Sequence, residues 1–378
     1  MSRAIRGNVL MTVLANGVPV PGPTDVVIFH VGGDGSIGPV EALFEAAPDH
    51  MIIVVFEIRD DASPFVVVPA PYSTKQFKVR VNRAIDEKTA TTDFHVTTLP
   101  MSSSLFKPSP MAVKEDAGYY HCKTWGENCV IEKTVSVKTS SIAEVIAELG
   151  LPPPDVISID AQGAELGILK GCGSHLDRAL AVVSEVEFSE IYHRQPLFDE
   201  QMALLGPKGL RLVNLFNSQI WHPTSRMPGN GFLTVAEAVF VKYFHALESG
   251  EEHPLRGYAD MRAASTPELV KASIVAVGFR LLSYAAKIAG FLKAERDDYH
   301  TYLSDTVPLQ MAFMAADYLA QHQHRFDKDL DFFLNAMKIP ESPNLKHSVP
   351  DTSVKQWAET KQRMADTLAR QAEKNKST

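Results

Sequence analysis

Cysteine is scarce: Cys122, Cys129 and Cys172, in 378 residues, cannot build a disulfide framework. The first residues lack an extended apolar stretch ahead of a small-residue cleavage site, so a reducing, cytoplasmic setting is the expectation. Positive charge is in deficit. With 37 Lys and Arg against 45 Asp and Glu, the formal net charge of -8 gives no general pull toward nucleic acid or anionic lipid. Long apolar runs are missing as well. The most apolar stretch, 272–292, contains Arg280 and Lys287, which reads as a buried or interfacial helix and not as a membrane span. The chain has no internal repeat and no low-complexity tract.

What is present is an ordinary globular composition, 45% hydrophobic, in a chain too long for one average domain. Runs of β-branched and apolar residues predict strands at 26–31, 51–56, 77–81, 156–159, 181–188, 210–215 and 238–241. Several are nearly continuous, the pattern of strands buried on both faces. Helical periodicity fills the gaps at 39–47, 141–149, 164–170 and 199–205. Strands alternating with helices predict an α/β fold with a doubly wound, Rossmann-like, mostly parallel sheet. The segment 80–97 interrupts the alternation, and Asp86-Glu87-Lys88 reads there as the turn of a hairpin. A polar stretch at 248–254 divides a domain of residues 1–247 from an α-helical C-terminal region, 248–378, with helices predicted at 266–296, 308–323, 326–337 and 351–374. Apolar positions between Leu269 and Leu292 exceed what a lone helix leaves in water, so this region is expected either to form a homo-oligomer or to cover an acceptor site.

Two features point to a nucleoside-bearing cofactor. Phe29-His30-Val31-Gly32-Gly33-Asp34-Gly35-Ser36-Ile37-Gly38 follows the first strand and opens a helix, so its glycines can turn the backbone sharply and bring N–H groups to a ligand. Glu57 ends the next strand, where a carboxylate can accept hydrogen bonds from a ribose diol. Gly32, Gly33, Asp34, Gly35 and Glu57 are therefore candidate cofactor-binding residues. They do not separate a nicotinamide dinucleotide from S-adenosylmethionine.

The separation comes from the middle of the chain. Asp155-Val156-Ile157-Ser158-Ile159-Asp160-Ala161-Gln162-Gly163-Ala164-Glu165-Leu166-Gly167-Ile168-Leu169-Lys170-Gly171 puts Asp160 at the carboxyl end of a strand, where open α/β sheets bind ligands. This block resembles the FkbM family of methyltransferases, whose pattern here is Asp, a small or branched residue, Glu or Gln, Gly, any residue and Glu, followed by Leu-Lys-Gly. Residues 184–198 resemble that family's next strand and loop, and residues 237–242 its closing strand. The segment 80–97 and Ser102-Ser103-Ser104-Leu105 also lie where the family has them, so the resemblance spans residues 25–243. In one place the chain departs from the pattern. Family members carry an acidic residue two places before the first glycine of the cofactor loop, then Gly-Ala-Asn; here His30 is followed by Gly32-Gly33-Asp34.

The resemblance implies a class I methyltransferase sheet, S-adenosylmethionine as cofactor, and O-methylation of a hydroxyl on a sugar, glycan or natural-product acceptor. It adds Ser103 and Asp160 to the cofactor-binding set and makes Asp160, Glu185 and His193 the candidates for the catalytic base. Asp160 can equally be read as a helix cap, or as binding the methionine amino group of the cofactor. Glu185 and Glu187 fall on one side of their strand by two-residue alternation, with Glu187 expected at a solvated rim. Glu165 is expected in the first turn of its helix, favoured by the dipole. His121, Cys122 and Cys129 match no common zinc spacing, so no metal ligand is assigned. Trp125, Trp221 and His222 are read as core, or as walls of an acceptor pocket. Two other functions stay open. A methyltransferase-like binding or scaffold protein without turnover is motivated by the altered glycine loop. A nicotinamide-dependent oxidoreductase leaves residues 155–198 unexplained.

Overall fold

The computed structural model describes residues 20–32, 38–47, 51–58, 65–69, 77–114, 119–120, 123–221, 231–246, 258–303 and 312. Two compact units divide the chain, Met1–His324 and Arg325–Thr378, and the described residues all belong to the first. The predicted helices at 326–337 and 351–374, nearly all of 308–323, and the division expected between residues 247 and 248 lie outside the described residues.

In chain order the first strands are β1 (Val26–Val31), β2 (Met51–Glu57), β3 (Phe65–Pro69), β4 (Phe77–Asn82), β5 (Ala84–Ile85) and β6 (Thr91–Thr97). Then come β7 (Tyr119–Tyr120), β8 (Lys123–Thr124), β9 (Ile131–Ser140), β10 (Val156–Ile159) and β11 (Ala181–Glu187). The last are β12 (Leu210–Trp221), β13 (Phe232–Lys242), β14 (Phe244–His245) and β15 (Ala259–Asp260). The helices are α1 (Glu41–Ala46), α2 (Pro110–Lys114), α3 (Trp125–Asn128), α4 (Ile142–Leu149) and α5 (Glu165–Gly171), followed by α6 (Phe198–Leu205), α7 (Thr266–Gly278), α8 (Leu282–Glu295) and α9 (His300–Leu303).

The main sheet has the order β12-β13-β11-β10-β1-β2-β4-β3. Its middle, β11, β10, β1, β2 and β4, is parallel, while β13 runs antiparallel to both of its neighbours and β3 antiparallel to β4. The expected mostly parallel α/β sheet is thus observed. Because the order turns back between β1 and β10, their carboxyl ends border the crevice in which doubly wound sheets bind ligands.

Side chains on a strand alternate between faces, and each face here has its own apolar cover. Val26, Ile28, Ile53 and Val183 pack in one core with Leu43 of α1, Leu269 and Ile274 of α7, and Ile288 of α8. Val27, Phe29, Val54 and Val182 pack in the other with Val145 of α4, Ile168 of α5 and Leu205 of α6. Each fully buried Val, Leu or Ile contributes about 1.5–3 kcal/mol. The apolar positions expected to need a partner, Leu269 and Leu292 among them, are buried against this chain's own sheet.

Local signals explain the helix ends. Ser141 and Glu144 form a capping box ahead of α4, each side chain accepting the other's backbone N–H, and Gly150 closes the helix at φ +64°. The helix predicted at 266–296 is two: Arg280 takes φ +61° between α7 and α8, a left-handed position that ends the first helix. The hairpin predicted across 86–88 does not form either. β6 pairs antiparallel with β9 instead, and β5 pairs parallel with the end of β9. That ten-residue strand escapes the apolar-run criterion because residues 131–134 are exposed and polar residues fill most of it.

Candidate active site

Asp160 stands at the carboxyl end of β10, its N–H donating to Val31 O across the junction with β1. Gly32 is the counterpart on the other side. A Cβ at residue 32 would lie 1.9 Å from Asp160 O, so only glycine lets the two strand ends meet, and its φ of +133° suits no other residue. The crevice therefore joins the first glycine of the predicted cofactor loop to Asp160. Gly33, Asp34 and Gly35 lie outside the described residues. Glu57 ends β2, half-buried, at the same edge of the sheet.

Gln162 organises the turn after Asp160. Its Nε2 donates to Asp160 Oδ1 at 2.8 Å and to Glu185 Oε2 at 2.9 Å, while its Oε1 accepts from the Tyr192 hydroxyl at 2.7 Å. Ser104 Oγ donates to the Gln162 carbonyl at 2.6 Å, and Tyr192 OH also reaches Ser102 O. The backbone of Gln162 sits at φ +56°, an uncommon conformation for a side chain of this size, held by these four contacts. Glu165, the first residue of α5, turns back to accept from Ala161 N–H at 2.9 Å and Gly163 N–H at 3.2 Å. The cap of α5 is Ala164, so Asp160 is not its capping residue.

Five carboxylates converge on this edge. Glu185 and Glu187 share one side of β11 as the alternation predicts, and Glu237 of β13 is the register partner of Glu185. Glu187 is 0% exposed, which corrects its placement at a solvated rim: the β12–β13 pair extends the sheet past it and Gln195 covers it. Among the described residues none of the five forms an ion pair. Two like charges about 4 Å apart cost about 4 kcal/mol at an effective dielectric of about 20, so full ionisation of the group is opposed. Burial pushes the Asp160 carboxyl up, with the Gln162 amide offsetting part of it. Burial takes Glu165 to about 7, against the pull of its backbone hydrogen bonds. Glu185 and Glu187 are raised well above the carboxylate range, first by burial and then by their acidic neighbours, Asp160 foremost for Glu185 and Glu165 for Glu187. Glu237 is raised by burial too, although Asn217 Nδ2 donates to its Oε1 at 3.0 Å. Asp160 alone of the five is solvent-exposed while protein still crowds its carboxyl, the condition of a group at the mouth of a cleft.

The remaining predicted residues fall elsewhere. His193 is exposed, 3.6 Å from Glu190 in an exposed pair, and the structure does not bring it to Asp160 or Glu185. Its neighbour Tyr192, fully buried, is the residue of that loop that enters the site. Ser103 accepts from Thr97 N–H, whereas Ser104 contacts the central turn. His30 lies inside β1, 2% exposed, with Nδ1 3.0 Å from Ser158 Oγ, and so belongs to the core beneath the cofactor turn. Trp125 and Trp221 pack with Tyr192 in a small aromatic cluster, ring centroids 5.6 Å and 5.8 Å from that of Trp125 for Tyr192 and Trp221 respectively. His121, Cys122 and His222 lie outside the described residues. Cys129 is buried in the aromatic cluster, its thiol pushed up to about 12 by burial.

Sequence reading did not place Gln162, Tyr192 and Glu237 together with Asp160 and Glu185. The signal for Glu237 was its place opposite Glu185 in an antiparallel pair, which only the strand order reveals.

Comparison with known families matches residues 51–212 to the methyltransferase FkbM domain. No curated protein and no solved structure matches the chain. The matched segment runs from β2 into β12 and contains Asp160, Gln162, Glu165, Glu185, Glu187 and Tyr192.

Proposed function

We propose that this chain, whose residues 51–212 match the methyltransferase FkbM domain, is an S-adenosylmethionine-dependent O-methyltransferase acting on a hydroxyl of a sugar, glycan or natural-product acceptor. The observation that carries the reading is the Asp160–Gln162–Glu185 network at the crevice between β1 and β10, within the family match and at the ligand-binding edge of the sheet.

The residues present fit the cofactor. Gly32 lets the end of β1 close onto the Asp160 carbonyl and so brings the two strand ends into one site, Glu57 offers a carboxylate at the end of β2, and Asp160 offers another at the end of β10. Glu57 would hold the ribose of the nucleoside, with Gly32, Gly33, Asp34 and Gly35 ahead of it in sequence, which leaves the Asp160 carboxylate to the acceptor. S-adenosylmethionine supplies an electrophilic methyl group on a sulfonium sulfur.

The chain's own work is orientation and proton handling. Holding an acceptor oxygen in a near-attack position accounts for about 7–11 kcal/mol of a barrier of this kind. The hydroxyl proton passes to Asp160, the exposed carboxylate, with Gln162 fixing its orientation through Oδ1 and linking it to Glu185. A raised carboxyl is a better proton acceptor than an ordinary aspartate, and a positioned base contributes about 10²–10⁴-fold. The aromatic cluster of Trp125, Trp221 and Tyr192 is buried and borders the network through the Tyr192 hydroxyl, which holds Gln162 in place.

The test is transfer of methyl-labelled S-adenosylmethionine to a panel of mono- and oligosaccharides and polyketide-type alcohols. Label is expected on an acceptor oxygen, with Asp160→Asn slower by about 10²–10⁴-fold at an unchanged melting temperature. Cofactor binding without label transfer to any acceptor would favour the second reading, a methyltransferase-like binding protein, to which the His30 and Gly32-Gly33-Asp34 departure lends support.

A further inference from the structure

Beneath Asp160, three carboxylates stand closer together than their charges allow. Glu165, Glu185 and Glu187 each present an oxygen, and these atoms lie within 4.8 Å of one another. They come from two elements: the first residue of α5, and two same-face positions of β11. The backbone N–H groups of Ala161 and Gly163 aim Glu165 inward, and Gln162 aims Glu185.

Glu187 supplies a separate observation. It is fully buried, and neither Oε1 nor Oε2 accepts a hydrogen bond. Gln195 lies near enough to ease ionisation of Glu187, but neither the Gln195 Nε2 nor a Glu187 oxygen makes a hydrogen bond of normal geometry. A buried carboxylate without a donor or counter-ion is costly, and folded proteins meet that cost with pairing or metal coordination. No ion pair among the described residues reaches the trio, and Gln162 and the N–H groups of Ala161 and Gly163 are taken up by Glu185 and Glu165, which leaves the Gln195 amide as the neutral donor beside Glu187.

We propose that Glu165, Glu185 and Glu187 hold a hard divalent cation, Mg²⁺, Mn²⁺ or Ca²⁺. The donor set decides the class. All three ligands are carboxylate oxygens, with no imidazole or thiolate in the group, which disfavours zinc and suits oxygen-seeking cations. Ligands on opposite sides of such an ion, with metal–oxygen distances of about 2.0–2.6 Å, are separated by about 4–5 Å. The trio's spread of up to 4.8 Å fits that span. Bound there, the ion supplies the positive charge that this edge lacks and ties β11 to the start of α5. The proposal does not depend on methyl transfer, because binding can be read without S-adenosylmethionine.

The test uses the full chain after chelator treatment, titrated separately with MgCl₂, MnCl₂ and CaCl₂ by calorimetry, with Mn²⁺ also followed by electron paramagnetic resonance. One ion per chain is expected, with a melting temperature that rises with ion concentration. Glu187→Gln should weaken binding by about tenfold or more. Its metal-free melting temperature should match or exceed that of the unmodified chain, which confirms that the variant folds. Glu185→Gln gives the same reading by a second route. Absence of binding for all three ions at millimolar concentration would overturn the proposal, leaving shared protons to neutralise the trio. Unchanged affinity in both variants would overturn it as well, by placing the ion elsewhere.

Discussion

The two ends of β10 treat buried charge in opposite ways. At its start, Asp155 accepts from Val27 N–H at 2.9 Å and from Lys271 Nζ at 2.9 Å, with Arg178 near enough to favour its ionised form. Beside it, Lys242 donates to the Asp177 carbonyl, and Lys208 pairs with the Asp177 carboxylate. At the strand's far end, Asp160 and its four acidic neighbours have only neutral donors: Gln162, Asn217, and the N–H groups of Ala161 and Gly163. The amino-end edge is built for stability, with each acid matched. The carboxyl-end edge retains unmatched charge, as sites that must receive a ligand do.

The sharpest way to break this comparison is to unmatch the matched end. Lys271→Met should cost about 3 kcal/mol at neutral pH, measured by urea unfolding, because it strips a buried carboxylate of its ion partner. Burial already holds the Asp155 carboxyl above its ordinary range, so Asp155 will take up a proton in the variant and the loss should shrink in acid.

The unmatched end should respond to pH with the sign of a raised carboxyl. Glu165 titrates near 7 in the fold against 4.5 for the free group, so the folded state holds a proton that the unfolded state has released between those values. In chelator-treated protein, stability is therefore fullest below pH 4.5 as far as this group is concerned, and it falls as pH rises toward 7, by an amount on the order of 3 kcal/mol. A pH series of melting curves checks it, with Glu165→Gln expected to flatten the slope.

A smaller effect is expected at the hub. Gln162→Leu leaves Asp160, Glu185 and the Tyr192 hydroxyl without their shared amide, at a cost of about 1–3 kcal/mol in unfolding free energy. The smallest is a null. Cys129 and Cys172, both buried with thiols pushed up to about 12, should resist alkylation in the native protein, as labelling followed by mass spectrometry would show.

Much of the sheet was legible because its strands are unbroken apolar runs: 26–31 and 156–159 coincide with β1 and β10, and Ser141 with Glu144 announced α4. Among the strands that escaped, β9 is mostly polar and so leaves a weak periodic mark, and β7, β8, β14 and β15 have only two residues each. For the site, strand-end position identified Asp160, and alternation placed Glu185 with Glu187. Neither could tell that β13 would lie beside β11 and bury Glu187, since that depends on which strands pair. His193 is exposed beside Glu190, and Ser103 accepts from Thr97 N–H. Their neighbours Tyr192 and Ser104 are the residues that reach Gln162.

On this reading S-adenosylmethionine binds at the carboxyl ends of β1, β2 and β10. Isothermal titration of the full chain with that cofactor tests it most directly. One molecule bound per chain is expected, with affinity lowered about tenfold or more in Glu57→Ala, the loss expected for one charge-assisted contact. Failure to bind at millimolar cofactor would contradict it.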